Sequence, residues 1–396
     1  MSQIISLKRF TILFLVTGLL AHSARAAAPS PADQCRFIGI RNFAGFTAAP
    51  SSNANETVLL SKVIQAPQAT RRGSFQHGAT LLFQMNQTPI AWNELVVSWN
   101  ADAPPETWLK VEARAIYPDH ETKFYTMGVW SKDSKEHPRG GVRRQKDADG
   151  TVNEDTLVLN RPGADVQLRV TLAGPGAEGR PQLKFLGLSF FDSRAEPALL
   201  HPRRAAWGKI ITTTERTQHS YPQANGWCSP TSLSMVLTRW GELLHRPELE
   251  ADVPEVAADV YDSVFAATGN WPFNTAYAGS FPGLRAYVTR FSDISELEDW
   301  IVAGIPVIIS ARWDMMAPGR PFDDAGHLTV CIGFTENGDL VINDPATNLK
   351  KGQKVRHIYT RQDIIKAWQT SHNTVYLVYP ETAKIPADRF GHWDKP

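Results

Sequence analysis

The stretch YPQANGWCSPTSLSMVLTRWG, residues 221–241, decides the fold of the second half of this 396-residue chain. Its apolar residues recur with the i, i+3, i+4, i+7 spacing of one helix face. Pro230 fits the first turn, where a helix tolerates proline, and Gly241 stands where a C-terminal cap belongs. The pattern therefore predicts a helix over residues 228–240 that buries Leu233, Val236, Leu237 and Trp240.

Cys228 is the first residue of this predicted helix. Exposed amides and the positive end of the helix dipole favour a thiolate there and lower the thiol pKa. Cysteine is, however, more often a small buried hydrophobic residue than a nucleophile. Position alone therefore leaves both interpretations of Cys228 open.

A second segment, DAGHLTVCIGF at residues 324–334, places His327 at the start of a β-branched run. After the turn TENGD comes VINDPA, in which Asp344 precedes a proline and is therefore extended. Two antiparallel strands joined by this turn would bring Asp344 back beside His327. A thiol nucleophile needs a base, and the base needs an acceptor at its other ring nitrogen. If Asp344 does not serve, Asn343 on the opposite strand face is the next candidate.

Each of these parts has a simpler explanation when taken alone. A histidine at a strand end is more often a surface residue, and Asp-Pro is a common turn opener. The combination indicates catalysis: a cysteine on a helix is followed, after roughly a hundred residues, by a hairpin with histidine and aspartate.

The first half of the chain has the alternation of β-strands from about residue 57 to residue 193. Turn-forming residues separate the alternating runs, and many short strands at this spacing predict an antiparallel β-sandwich of the jelly-roll kind. The residues predicted to face its core include Leu109, Val111, Ala113, Ala115, Val166, Leu168, Val170 and Leu172.

Proline and arginine accumulate at residues 194–209, as in a linker between domains. Helices are predicted beyond it at 255–267 and 294–303, and strands follow at 306–313, 327–334, 339–344, 354–359 and 374–379. Helices followed by strands are typical of an α+β fold. We therefore expect a β-sandwich domain at 27–200 and an α+β domain at 205–385.

The N-terminus has the pattern of a secretory signal peptide. Two basic residues precede an apolar run at residues 10–21, and Ala24-Arg25-Ala26 resembles a cleavage site, so residues 1–26 are predicted to be removed. Cleavage would leave a net charge near −2, which gives no indication of nucleic-acid binding. We expect a secreted or periplasmic protein without a membrane span.

The cysteines, Cys35, Cys228 and Cys331, are odd in number, so at least one has no partner within the chain. Cys331 lies four residues after His327 on the same strand face, but catalytic zinc needs a third ligand that the sequence does not place. Cys331 is therefore predicted to be a core thiol.

The segment KDADGTVNED, residues 146–155, is rich in carboxylates. A calcium loop of the EF-hand type starting at Asp147 would need glycine and glutamate where the chain has Val152 and Val158. We expect a hairpin turn around Asp149-Gly150 instead, and no metal or other cofactor.

Aromatic residues are frequent in the sandwich half. On an exposed sheet face they would suit stacking against a sugar, although most such residues are simply core. This half is therefore a candidate for binding a glycan, of the cell wall or another kind. The aromatic residues that would stack against the sugar are Trp92, Trp99, Trp108, Tyr125 and Trp130.

The second half resembles the papain-like cysteine peptidases related to the bacteriocin-leader, or double-glycine, peptidases, and in particular their secreted stand-alone relatives. The segments that carry the resemblance are TQHSYPQANGWCSPTSLSMVL, GHLTVCIGF and INDPA. The resemblance implies Cys228 as nucleophile, His327 as general base and acid, and Asp344 as the orienting residue. It also implies a glutamine in the oxyanion hole, for which we favour Gln218, with Gln223 as the alternative.

The chain departs from that family in two ways. The leader peptidases usually have Cys-Gly-Pro where this chain has Ser229 after the cysteine, which affects how closely a ligand can approach. The leader peptidases are also fused to membrane exporters, and the sequence predicts no membrane span of that kind here. We therefore do not expect this protein to cleave leader peptides. We expect a secreted cysteine peptidase that acts on a peptide or protein. The alternatives are an inactive surface or sugar-binding protein, and a cell-wall amidase or acyl transferase with the same triad.

Overall fold

The computed structural model describes residues 34–41, 43, 58–60, 69–75, 78–132, 139–163, 165–174, 181–197, 200–222, 224 and 226–395. The predicted signal peptide at 1–26 and the alternative oxyanion residue Gln223 lie outside these ranges. Within the ranges, no helix has both the length and the apolar character needed to cross a bilayer.

The first half consists of β-strands, because its sequence alternates between apolar and polar residues. The strands are β1 Cys35–Ile40, β2 Val58–Leu60, β3 Ala69–Phe75, β4 Gly78–Met85, β5 Trp92–Asp102, β6 Trp108–Ile116, β7 Tyr125–Trp130, β8 Gly150–Asn153, β9 Thr156–Gly163, β10 Asp165–Ala173 and β11 Gln182–Phe191.

These strands form two antiparallel sheets, in the orders β1-β11-β5-β9-β8 and β2-β3-β4-β10-β6-β7. The residues predicted to face the core of β6 and β10 are all buried, because side chains two apart along a strand share one face. The β-sandwich prediction is confirmed.

The aromatic residues of the sandwich are mostly core. Trp92, Trp99, Tyr125 and Trp130 are at most 2% exposed, and Trp108 is half-buried. These five residues therefore do not form the exposed sugar-stacking surface that the sequence suggested.

The second half combines five helices with a third antiparallel sheet in the described part of the chain. The helices are α1 Cys228–Leu244, α2 Val253–Val260, α3 Trp271–Ser280, α4 Ile294–Val302 and α5 Arg361–Gln369. The strands are β12 Leu284–Arg290, β13 Val307–Arg312, β14 Gly326–Phe334, β15 Leu340–Asn343, β16 Arg356–Tyr359 and β17 Thr374–Pro380, in the sheet order β12-β17-β13-β14-β15-β16. The α+β prediction is confirmed.

Two predicted helix ends are wrong. Helix α1 continues past Gly241 to Leu244, because His245 adopts the left-handed conformation that ends the helix and donates its N–H to the Gly241 carbonyl. The helix predicted at 255–267 ends at Val260. Beyond it, the Asp262 carboxylate accepts the amides of Val264 and Phe265 and stabilises a turn instead.

The sandwich covers one edge of the third sheet. Strand β12 is an edge strand, and its Ala286 carbonyl accepts a 2.6 Å hydrogen bond from the side-chain amide of Asn100 in β5. The Ala286 amide donates back to the same side chain over 3.2 Å, and the Val288 amide donates to the Ser98 hydroxyl over 3.3 Å. Polar side chains of the sandwich thus replace the missing neighbouring strand. The boundary at 200–205 stays a prediction.

Candidate active site

Helix α1 begins at Cys228, as predicted, and its first amides are available to a ligand. The N-cap residue is Trp227, and no side chain in the described ranges caps this helix end. The first amides of a helix have no partner within the helix, so uncapped ones are free to bind an anion. The Cys228 side chain is 8% exposed and reaches the surface at the floor of a cleft.

His327 lies near the start of β14 and contacts both other members of the predicted triad. Its Nε2 is 2.8 Å from Oδ1 of Asp344, and its ring lies close enough to Cys228 for each side chain to shift the pKa of the other. Because Nε2 contacts Asp344, Nδ1 is the ring nitrogen that remains for the thiol. The structure therefore brings Cys228, His327 and Asp344 together in the order that nucleophilic catalysis requires.

The neighbouring Asn343 does not belong to this group. Its side chain is fully buried, and neither of its amide atoms has a hydrogen-bond partner among the described residues. Of the two acceptors that the sequence offered, Asp344 is the one that contacts His327.

The three side chains shift one another's pKa values. Burial disfavours a charged imidazole, but the Asp344 carboxylate and the contact with Cys228 outweigh burial and raise the pKa of His327 to about 10. Burial alone would raise the pKa of Cys228, yet the hydrogen bond and charge of His327 leave it below its ordinary value. The pKa of Asp344 is likewise lowered, since His327 outweighs the effect of burial. These directions favour a thiolate–imidazolium pair.

Two residues that the sequence did not indicate hold Asp344. The Tyr359 hydroxyl donates to Asp344 Oδ2 over 2.5 Å, and Arg320 lies 3.6 Å from the same oxygen. Arg320 also donates to the Tyr359 hydroxyl over 2.7 Å. Tyr359 ends the predicted strand at 354–359, but nothing in the spacing indicates that β16 lies beside the triad.

Gln218 lies at the side of the cleft in a short 3-10 helix, Gln218–Ser220. The main-chain amide of Gln218 donates to the Pro345 carbonyl over 3.0 Å, so this segment is bound to the residue that follows Asp344. The side chain is 8% exposed, and its Oε1 is buried without a partner among the described residues.

The cleft above these residues is open and has a volume of about 540 Å³. One wall comes from the loop between β13 and β14, and the other from the segments before Cys228 and after Asp344. Its lining residues are Gln218, His219, Gly226, Cys228, Trp313, Asp323, Ala325, Gly326, His327 and Ala346.

Ser229 does not obstruct this cleft, although related sequences have glycine at its position. Its side chain is fully buried, and its hydroxyl lies 3.0 Å from the hydroxyl of Tyr376 in β17. The serine therefore points into the core and ties the first turn of α1 to the sheet.

Neither the other cysteines nor the acidic segment lines this cleft. Cys331 is a buried free thiol, and burial raises its pKa to about 12. Asp147 accepts the amides of Asp149 and Gly150, and the predicted hairpin turn around these residues is confirmed, because Lys146 and Thr151 pair antiparallel on either side of it. No cluster of three or more potential metal ligands occurs in the described part of the chain.

Two segments of the chain match models of known protein families. Residues 41–190 match the family model of the peptidase C39 N-terminal domain, and residues 213–376 match that of a peptidase C39-like family. No curated protein matches the chain significantly.

Three solved structures resemble parts of the chain, each with less than 20% sequence identity. A C39-like peptidase from Bacillus anthracis is 18% identical, with 44% of this chain and 99% of that chain covered and a TM-score of 0.34. A xylan-binding module, CBM15, is 13% identical, with coverages of 41% and 93% and a TM-score of 0.20. A carbohydrate-binding module of the β-sandwich superfamily is 10% identical, with coverages of 40% and 56% and a TM-score of 0.16.

The two family models assign a domain to each half of the chain. Residues 41–190 are a peptidase C39 N-terminal domain, and residues 213–376 are a domain of the peptidase C39-like family.

Proposed function

We propose that this protein hydrolyses amide bonds of peptides or proteins with Cys228 as nucleophile, His327 as base and acid, and Asp344 as orienting residue. The observation that supports this proposal is the position of His327, whose imidazole contacts Asp344 through Nε2 at 2.8 Å and interacts with the Cys228 thiol closely enough to lower its pKa. It lies at the floor of an open cleft, where a carbonyl carbon can approach the sulfur.

In the first half of the reaction, the Cys228 thiolate attacks the carbonyl carbon and forms a tetrahedral intermediate. The negative oxygen accepts hydrogen bonds from the Cys228 backbone amide and the Gln218 side-chain amide. The intermediate collapses to a thioester as the carbon–nitrogen bond breaks. His327 gives its Nδ1 proton to the departing amine, so the amine leaves neutral.

In the second half, neutral His327 takes a proton from water, and the resulting hydroxide attacks the thioester carbon. The carbon–sulfur bond then breaks, which releases a carboxylic acid and restores the thiolate beside the imidazolium. Asp344 remains an ionised carboxylate throughout the cycle. It accepts the Nε2–H of His327 and thereby fixes the ring orientation and stabilises the imidazolium.

The alternatives can be separated from this proposal by product analysis. Wild-type protein and Cys228→Ala are incubated with a diverse peptide pool and, separately, with peptidoglycan fragments, and new termini are read by mass spectrometry. Cys331→Ala, which removes a buried thiol away from the cleft, is the matched control. We expect cleaved peptides with wild type and Cys331→Ala only. If only peptidoglycan is cleaved, the protein has a cell-wall activity and the proposal is wrong. If no product depends on Cys228, the protein has a binding function instead.

We further propose that the protein acts outside the cytoplasm after cleavage behind Ala26. The basic and apolar pattern of residues 1–26 supports this proposal. Expression of the natural gene with N-terminal sequencing of the exported fraction should give a chain that starts at Ala27. A cytoplasmic chain that retains Met1 would contradict it.

A further inference from the structure

An additional residue in β14 decides which side chain of β15 shares a face with His327. Near the turn, β14 pairs with β15 as Phe334 with Leu340 and Gly333 with Val341. Further along, Cys331 pairs with Ile342 and Val330 with Asn343. Ile332 therefore has no opposite residue, and the register changes by one position at this β-bulge.

The change of register selects Asp344. Directly opposed residues in an antiparallel pair share a face, and residues two apart along a strand share a face. Continued past Asn343, the observed register sets Asp344 opposite Thr329, on the face of His327. Without the bulge, Asp344 would oppose Val330 on the other face, and Asn343 would occupy the face of His327.

The bulge is held by residues 207–211, which begin within the linker and extend two residues past it, and which we call the strap. Gly333 pairs with Val341 on one side and with Ile210 of the strap on the other. The Ile211 amide donates to the Ile332 carbonyl over 2.7 Å, and the Phe334 amide donates to the Lys209 carbonyl over 2.9 Å. The strap thus satisfies main-chain groups on both sides of Gly333.

The fit between strap and bulge is close enough to require a glycine. A Cβ atom at Gly333 would lie 2.2 Å from the carbonyl oxygen of Lys209. The strap is itself anchored, because the Trp207 indole donates to Glu298 in α4 over 2.7 Å. Any larger residue at position 333 must displace either the strap or the bulge.

We propose that the strap is a positioning element of the active site, which fixes the bulge at Ile332 and thereby presents Asp344, and not Asn343, to His327. The inference rests on the proposed function in that Asp344 serves His327 during catalysis. Its geometric content is independent of any substrate, since it concerns which side chain contacts the imidazole.

The test is an NMR titration of the His327 imidazole in the full-length protein, which needs no substrate. Gly333→Ala drives a methyl group against the strap. Gly269→Ala is the matched control, because a Cβ there meets no atom within 4 Å. We expect Gly333→Ala to lower the pKa of His327 by about one to three pH units, as loss of a neighbouring carboxylate does, and Gly269→Ala to leave it unchanged.

A second substitution reports the register itself. In the wild-type background, Asn343→Asp should not change the His327 titration, because position 343 faces away. In the Gly333→Ala background, the same substitution should raise the pKa of His327 again if the register has moved by one residue. A His327 titration in Gly333→Ala that matches wild type would overturn the proposal.

Gly333→Ala can fail to fold, so Ile211→Pro provides an independent perturbation. It removes the amide that donates to Ile332 and leaves β14 unchanged in sequence. We expect a lower pKa of His327 here as well. If the folded Ile211→Pro protein keeps the wild-type titration, the strap does not hold the bulge and the proposal is wrong. An active protein is not required for any of these results, so they remain distinct from a failure of the peptidase assignment.

Discussion

His327 Nε2 and Asp344 Oδ1 lie 2.8 Å apart although the two residues are not opposite each other in the sheet. His327 pairs in register with Ala311 of β13, and Asp344 follows the last residue of β15. Their contact is therefore diagonal across the end of the sheet. It leaves Oδ2 of Asp344 for Tyr359 and Arg320, so the carboxylate is held from two directions.

Removal of this contact should reduce turnover less than removal of the base. We expect His327→Ala to lower kcat by about 10⁴-fold or more, Asp344→Ala by up to that amount, and Asp344→Asn by less. The amide oxygen of Asp344→Asn can still accept from the ring. The double variant His327→Ala/Asp344→Ala should resemble His327→Ala alone. Losses that multiply, or full activity in Asp344→Ala, would contradict the assignment.

The Cys228 thiol should be alkylated by iodoacetamide far faster than Cys331 at neutral pH. The pKa of Cys228 is lowered, so its thiolate persists as the pH falls until that pKa is passed, whereas burial raises the pKa of Cys331 to about 12. The imidazolium that stabilises the thiolate is lost only when the pH rises through about 10. Peptide mapping of alkylated protein between pH 5 and pH 10 measures this. In His327→Ala the reactive range should move to higher pH; an unchanged profile would exclude an ion pair.

Substitution of Gln218 should affect kcat and leave KM nearly unchanged. An oxyanion-hole donor acts only on the transition state, and its loss costs about 10²- to 10³-fold in kcat. Gln218→Ala is compared with Gln223→Ala, since both residues precede the nucleophile. If Gln223→Ala lowers kcat more than Gln218→Ala does, Gln223 and not Gln218 is the oxyanion-hole donor.

A chain of residues 205–396 should aggregate, whereas the full-length chain stays soluble. Without the sandwich, β12 loses the side chains of Asn100 and Ser98 and becomes an open sheet edge. In the full-length protein, Asn100→Ala should lower the free energy of unfolding by about 1–3 kcal/mol, because it leaves buried main-chain groups unpaired. Asn93→Ala, whose hydrogen bonds to Ser193 are exposed, is the control. Denaturant unfolding and light scattering measure both effects. A soluble, cooperatively unfolding 205–396 chain would show that the two halves fold independently.

Local patterns in the sequence were sufficient for the α1 helix, the sandwich strands and the hairpin that carries His327. They failed where a distant contact decides the structure. Helix α1 extends beyond Gly241 although a glycine usually favours a helix end, and Gly241 is packed closely against Glu250. The choice between Asn343 and Asp344 depends on one unpaired residue at Ile332, which alternation alone does not reveal. Tyr359 and Arg320 come from separate segments, so only the folded chain brings them to Asp344.

The covered edge of the third sheet also limits how molecules of this protein can associate. Main-chain pairing between two sheets requires a free edge on each. With β12 occupied by the sandwich, the remaining edge is β16, where Ile358 is 66% exposed. Two molecules can therefore join through this sheet along β16, and their pairing uses the one edge that the described part of the sheet leaves free in each molecule, so a third molecule finds no free edge among these strands.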